Sequence, residues 1–151
     1  MMKTIMLKLN GESRSLDVEP SDLLLEVLRD KLGIKSPKIG CQRGDCGVCT
    51  VLLDGKSVRS CLILAIEADG REIRTVEGLS KSGTTELQKS FLKHNSFQCG
   101  FCAPGMVLAA TELLERNPHP DEEEIKEAIA GNLCRCTGYE PIVKAIKAAR
   151  K

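Results

Sequence analysis

The sequence predicts an α+β chain in two parts, a small sheet-forming half followed by an all-helical half. Three observations carry this. Two turn dipeptides, Asn10-Gly11 and Asp54-Gly55, sit between runs of alternating apolar residues, the pattern of tight β-hairpins. Beyond Gly83 the apolar period lengthens to that of a helix and stays there. Eight cysteines divide into two sets of four with none left over, one set in each half.

Taken in order, Ile5, Leu7 and Leu9 alternate along a first strand, and Leu16 and Val18 along its return after Asn10-Gly11. Pro20-Ser21-Asp22 stops the strand and caps a helix whose Leu23, Leu24, Val27, Leu28 and Leu32 share one face, with Gly33 closing it. Gly40 to Cys49 is a loop holding three glycines and three cysteines. Val48–Leu53 reads as a strand, and Lys56–Leu64 as its return with Cys61 inside it. Ile73–Val76 is a last short strand. Residues 78–85 read as a Gly/Ser/Lys linker, which sets the domains at 1–77 and 86–151. Thr84 or Thr85 caps a helix over Glu86–His94. Pro104 suits the first turn of a helix running to Arg116, and Asn117-Pro118-His119-Pro120 stops it. Asp121 caps the acidic turn Glu122–Glu124, which complements the helix dipole. Tyr139–Arg150 is the last helix. The four helices form two helix–cysteine turn–helix pairs, an α-hairpin-like bundle.

Composition narrows the functional classes. The 151 residues are 42% hydrophobic and 3% aromatic, with no Trp. Two small cores so short of bulky side chains call for staples, which metal sites supply. Lys+Arg 22 against Asp+Glu 21 leaves a net charge of +1, and no basic run suggests a nucleic-acid partner. Lys8 interrupts the N-terminal apolar stretch before a signal sequence can form, and no run reaches membrane-spanning length. The expected compartment is therefore the reducing cytoplasm, where eight cysteines point to metal ligation rather than four disulfides.

The first set, Cys41-x4-Cys46-x2-Cys49 with Cys61 as a distant fourth, has the plant-type [2Fe–2S] spacing. Gly40, Gly44 and Gly47 permit the tight or positive-φ backbone that turns N–H groups toward a cluster. Structural zinc also takes four cysteines, but zinc ribbons pair two short knuckles, which this spacing does not provide. The second set, Cys99-x2-Cys102 with Cys134-x-Cys136, suits either zinc or [2Fe–2S]. Cys102 and Cys136 precede predicted helix starts, whose partial positive charge is expected to favour the thiolates and a reduced cluster. His94 and His119 read as helix-end and loop residues rather than ligands, and Tyr139 as a packing residue.

The runs Gly40-Cys41-x-x-Gly44-x-Cys46-Gly47-x-Cys49-Thr50-Val51, Ser60-Cys61-Leu62, Gln98-Cys99-Gly100-Phe101-Cys102-x-Pro104-Gly105 and Gly131-Asn132-Leu133-Cys134-Arg135-Cys136-Thr137-Gly138-Tyr139 resemble the iron–sulfur part of the molybdenum hydroxylases, the xanthine oxidase family. Thr75-Val76-Glu77-Gly78-Leu79 also fits, so the likeness spans nearly the whole chain. Ala103, Val48 and Gln42-Arg43 depart from the family's commoner residues without removing a ligand. The resemblance implies an N-terminal β-grasp, ferredoxin-like [2Fe–2S] domain followed by a four-helix bundle [2Fe–2S] domain. It implies Cys41, Cys46, Cys49 and Cys61 as ligands of the first cluster and Cys99, Cys102, Cys134 and Cys136 of the second, with Gln98 and Cys136 contacting molybdopterin. It further implies an electron-transfer subunit without a substrate site. Its partners would be a large subunit carrying molybdopterin, as the cytosine dinucleotide, and a medium subunit carrying FAD, in a dimer of heterotrimers. In an oxidising member electrons pass from molybdenum to the bundle cluster, then to the plant-type cluster, then to FAD. A free-standing ferredoxin and a zinc-stapled interaction module are the rival readings.

Overall fold

The computed structural model describes residues 1–149; Arg150 and Lys151, the expected end of the last helix, lie outside the described residues. Strands β1 (Lys3–Leu9) and β2 (Glu12–Val18) pair antiparallel with Leu9 opposite Glu12, which leaves Asn10 and Gly11 as the two loop residues. Both have positive φ, 50° and 85°, as a type I′ turn requires. Strands β3 (Thr50–Leu53) and β4 (Lys56–Arg59) repeat this around Asp54 (φ 49°) and Gly55 (φ 82°). Strand β5 (Glu72–Arg74) lies between the hairpins, parallel to β1 and antiparallel to β3, giving a mixed sheet in the order β2-β1-β5-β3-β4.

The predicted helix after Asp22 is present but changes character. Helix α1 (Leu24–Glu26) widens into a π turn over Val27–Lys31. The Leu28 carbonyl accepts from Ile34 N–H (2.8 Å), so Leu32 N–H reaches back to Val27 O instead (3.0 Å). Leu24, Val27 and Leu28 cover one face of the sheet with Ile5, Leu7, Leu9, Val51, Leu53 and Ile73. Strand β3 is buried at every residue. Its alternate face, carrying Thr50 and Leu52, is covered by α4 (Ala103–Arg116). The expected long return strand ends early: β4 stops at Arg59, and Ser60–Leu62 forms a 3₁₀ turn. The Ser60 hydroxyl donates to Cys49 O (2.6 Å), and the turn swings Cys61 in beside Cys49.

Helix α2 (Val76–Leu79) is a single turn that overlaps the predicted linker. Among the described residues four helices follow: α3 (Glu86–Lys93), α4, α5 (Glu122–Ile129) and α6 (Glu140–Ala148). Thr85 and Gln88 cap α3 reciprocally, and Asp121 and Glu124 do the same for α5. Each helix turns its apolar stripe to one core built from Leu87, Phe91, Met106, Leu113, Ile125, Ile129, Ile142 and Ile146. Among the described residues no helix is long and apolar enough to cross a membrane.

The two halves are tied polar group to polar group. The Arg74 guanidinium makes a two-pronged pair with Glu115 of α4 (2.9 and 2.7 Å). The Glu112 carboxylate, also on α4, accepts from the N–H and hydroxyl of Ser57 on β4. Glu77 accepts from Ser36 N–H (3.0 Å), the Ser36 hydroxyl (2.6 Å) and the Thr75 hydroxyl (2.6 Å), which anchors α2 to the stretch leading into the first cysteine loop.

Candidate metal centres

The loop from Gly40 to Cys49 curls around its own thiols. Gln42 (φ 54°), Gly44 (φ 86°) and Gly47 (φ 76°) adopt left-handed backbone. Gly40 does not; it is needed for space, since a Cβ there would come within 2.8 Å of Cys46 Sγ and of Val48. The curl aims N–H groups at sulfur. Arg43, Asp45 and Cys46 donate to Cys41 Sγ at 3.4, 3.3 and 3.4 Å, and Cys41 N–H points to Cys46 Sγ at 3.5 Å. The Arg43 N–H, followed by that of Cys46, holds the Cys41 thiol at about 6, far below its ordinary 9.0. Cys61 behaves oppositely: burial first, then the Cys49 side chain, push it up to about 11.

The second set sits on two turns made by Gly100 (φ 77°) and Gly138 (φ 65°). Cys99 and Cys136 lie with their sulfurs 3.6 Å apart at the surface. Phe101 N–H, then the Cys136 side chain, lower the Cys99 thiol. Cys102 is buried at the start of α4. The helix start does not lower its thiol as expected, because burial, then the Cys134 side chain, push it up to about 12. Cys134 is lowered despite its burial, by the Thr137 hydroxyl and by the Cys136 and Thr137 N–H groups. The Thr137 oxygen lies 3.1 Å from Cys134 Sγ and accepts Tyr139 N–H (3.2 Å), which leaves its proton free for the sulfur.

These contacts group the eight thiols in four pairs: Cys41 with Cys46, Cys49 with Cys61, Cys99 with Cys136, and Cys102 with Cys134. Two and two is the donor arrangement for a [2Fe–2S] rhomb, in which each iron takes two protein ligands. A structural zinc ion would instead draw four donors to one point. The donor sets therefore fit [2Fe–2S] clusters, including the second set, whose spacing left the choice open. In each set one pair is more exposed, Cys41/Cys46 and Cys99/Cys136, and one lies deeper, Cys49/Cys61 and Cys102/Cys134. His94 spends its Nδ1 on Ser90 O (2.8 Å) at the end of α3, and His119 stays in its exposed loop.

Several residues around the thiols go beyond the sequence reading. Tyr139 is more than packing: it takes left-handed backbone (φ 69°), and its phenol oxygen accepts Cys134 N–H at 3.0 Å. Gln98 Nε2 donates to Cys136 O (3.0 Å), and both residues are exposed. Asn132, 2% exposed, donates from Nδ2 to Gly47 O (3.0 Å) and Thr50 Oγ1 (3.1 Å). Arg59 joins it, with one guanidinium nitrogen on Thr50 Oγ1 (2.9 Å) and another on Gly131 O (2.7 Å). Leu133 N–H donates to Cys46 O (2.9 Å). A polar seam thus joins the backbone of one cysteine loop to that of the other. The adjacency of Asn132 to Cys134 in sequence was the available signal; nothing in the spacing pointed to Arg59.

Comparison with known proteins agrees with this geometry. The family described as "2Fe-2S iron-sulfur cluster binding domain" matches residues 7–80, and that described as "[2Fe-2S] binding domain" matches residues 75–147. The chain is 50% identical over 139 residues to the nicotine 6-hydroxylase small subunit of Paenarthrobacter nicotinovorans, covering 92% of this chain and 84% of that one. It is 49% identical over 147 residues to the nicotinate dehydrogenase small FeS subunit of Eubacterium barkeri, covering 97% and 94%. Among solved structures, quinoline 2-oxidoreductase from Pseudomonas putida 86 superposes with a TM-score of 0.94 at 47% identity, covering 99% of this chain and 96% of that chain. Aldehyde oxidoreductase from Desulfovibrio desulfuricans matches with a TM-score of 0.95 at 42% identity, this chain corresponding to 17% of it. With two [2Fe–2S] domains in one α+β chain and this degree of identity over its length, the chain belongs to the family of small iron–sulfur subunits of the molybdenum hydroxylases.

Proposed function

We propose that this chain is the electron-transfer subunit of a multi-subunit molybdenum hydroxylase, carrying one [2Fe–2S] cluster on Cys41, Cys46, Cys49 and Cys61 and a second on Cys99, Cys102, Cys134 and Cys136. The clusters supply one-electron chemistry between the molybdopterin of a large subunit and the FAD of a medium subunit. The observation that carries this is the sorting of eight thiols into four pairs, two pairs in each cysteine set.

The chain's own groups do the rest. N–H groups of the 41–49 loop and the Thr137 hydroxyl donate to ligand sulfurs and offset negative charge. The seam from Cys46 to Leu133 fixes the distance between the loops. Gln98 and Cys136, adjacent and exposed, are the residues proposed to meet molybdopterin, as its cytosine dinucleotide. Exposed Phe101 and Leu133 beside the second set, and Ile39 and Leu62 beside the first, are the apolar surfaces we assign to the large and medium subunits respectively. The domain reading is a β-grasp unit over 1–77 and a four-helix bundle over 86–151, joined by 78–85, in a cytoplasmic dimer of heterotrimers. The relatives' names span nicotine, nicotinate, caffeine and xanthine, so the substrate is set on the partner chain.

Low-temperature EPR of the anaerobically purified, dithionite-reduced protein, with iron counted on the same sample, tests the reading. Two inequivalent S = 1/2 signals are expected. Folded, iron-free protein holding zinc would overturn it.

A further inference from the structure

In sequence Lys38 leads into the first cysteine loop, three residues before Cys41. In space it belongs equally to the second. Its ammonium stands 5.4 Å from the centre of the Phe101 ring, and Phe101 lies between Cys99 and Cys102. The placement is built rather than incidental. Lys38 N–H donates to Val48 O (2.9 Å), which fixes the backbone against the start of β3. Arg29 Nη1 clamps the preceding turn through Lys35 O (2.9 Å) and Pro37 O (2.7 Å). Lys38 Nζ itself donates to Ser36 O at 3.3 Å, and Ser36 is held in turn by Glu77. The side chain is half-buried, so its charge is less screened than that of a free surface lysine. Burial and the nearby Arg29 work against that charge, whereas Glu77 and the Cys102 thiol favour it.

We propose that Lys38, supplied by the first domain, is a positioning and charge-tuning residue for the second metal centre. Its ammonium seats on Phe101, orders the Cys99–Cys102 turn, and favours the extra negative charge that the second cluster gains when it accepts one electron. A cation held beside a redox centre stabilises the reduced form, so the ammonium raises the second centre's tendency to accept an electron. The inference rests on the two-cluster reading above, and it gives one domain a direct hand on the other domain's potential.

The test is an EPR-monitored redox titration of the cluster-loaded full chain, wild type against Lys38→Met, Lys38→Gln and Lys38→Arg. The two signals are first assigned by removing each centre separately with Cys46→Ala and Cys102→Ala. Lys38→Met and Lys38→Gln are expected to lower the second centre's reduction equilibrium about tenfold, about 59 mV for one electron, with a much smaller change at the first centre. Lys38→Arg, which keeps the charge and the seat on the ring, is expected to restore the wild-type value. An equal shift of both centres, a shift confined to the first, or a Lys38→Arg protein as altered as Lys38→Met would each overturn the proposal. None of these touches the two-cluster reading, which fails only if wild type lacks two signals.

Discussion

Gly105 offers a test in which two physical arguments predict opposite signs. It is buried within α4, where its backbone has ordinary helical geometry. By helix propensity alone, Gly105→Ala should stabilise the chain by about 1 kcal/mol. The seam predicts the reverse. A Cβ at this position would lie 2.5 Å from Gly47 O and 2.9 Å from Asn132 Nδ2. The first approach is about 0.9 Å short of the 3.4 Å at which ordinary contact begins, and the atom it meets is backbone of a loop that carries three thiols. Either α4 or the 46–49 backbone must withdraw. Because Asn132 Nδ2 blocks the other side, the 46–49 backbone gives way, which stretches Asn132 Nδ2–Gly47 O, Asn132 Nδ2–Thr50 Oγ1 and Leu133 N–Cys46 O together. At about 1 kcal/mol net for each hydrogen bond, losing all three outweighs the propensity gain and leaves a net destabilisation of about 2 kcal/mol. The assay is anaerobic guanidinium unfolding of the cluster-loaded protein, followed by far-ultraviolet and visible circular dichroism. The variant should unfold at lower denaturant, and its EPR signals should show altered magnetic coupling between the two centres. A Gly105→Ala protein as stable as wild type or more so would refute the claim that close approach of backbone, rather than helix preference, decides this position.

The remaining predictions probe separate contacts. Tyr139→Phe removes the acceptor for Cys134 N–H; it should cost about 1 kcal/mol and speed iron loss to a chelator from the second centre alone, read as the decay of one EPR signal. Glu77 is held below its ordinary 4.5 by the Ser36 and Thr75 hydroxyls and the Glu77 and Ser36 N–H groups, against burial that would raise it. A carboxylate lowered on folding contributes stability above its unfolded value and loses it as pH falls through its folded one. Glu77→Gln should therefore be less stable than wild type at neutral pH, with the gap closing below about pH 4.5; parallel pH–stability curves would contradict this. Arg74→Met deletes the two-pronged pair with Glu115, and its cost, about 1 kcal/mol, should shrink in high salt.

Much of this was legible in the sequence because it is local chemistry. Asn10-Gly11 and Asp54-Gly55 need only their own φ values to define a hairpin, and both gave the turns expected. The cysteine spacings placed Cys41, Cys46 and Cys49 on one glycine-containing loop, which the structure shows curled around its own thiols. The errors share a cause: they occur where a distant group outbids the local pattern. Cys61 sits in a run that alternates like a strand, yet the Ser60 hydroxyl's bond to Cys49 O and the burial of Cys61 beside that residue end the strand two residues earlier. The α1 periodicity was sound until Ile34 N–H took the Leu28 carbonyl. Helix-start position suggested a lowered Cys102 thiol, and burial reversed the sign. Arg59 carried no signal, since its partners Thr50 and Gly131 are 9 and 72 residues away.

That same distinction bears on why one chain holds two cysteine sets. Each set needs only its own four cysteines to bind a cluster, and the sequence motifs describe each set alone. A relay needs something the motifs do not encode, a fixed separation between the sets. The structure supplies it with groups that reach across: Asn132, at 2% exposure, whose two Nδ2 bonds both land on Gly47 and Thr50, Arg59 bridging Thr50 to Gly131, and two glycines, Gly47 and Gly105, whose missing side chains let backbones meet. A buried amide left without partners costs about 1–3 kcal/mol, so the two loops cannot part by small degrees; they are joined with every bond made or separated with several lost. With 3% aromatic residues, neither half buries much bulk, and rigidity between them comes from this polar seam, the Arg74–Glu115 pair and the Ser57–Glu112 contact. Loosening the seam should therefore disturb communication between the two centres before it unfolds either domain.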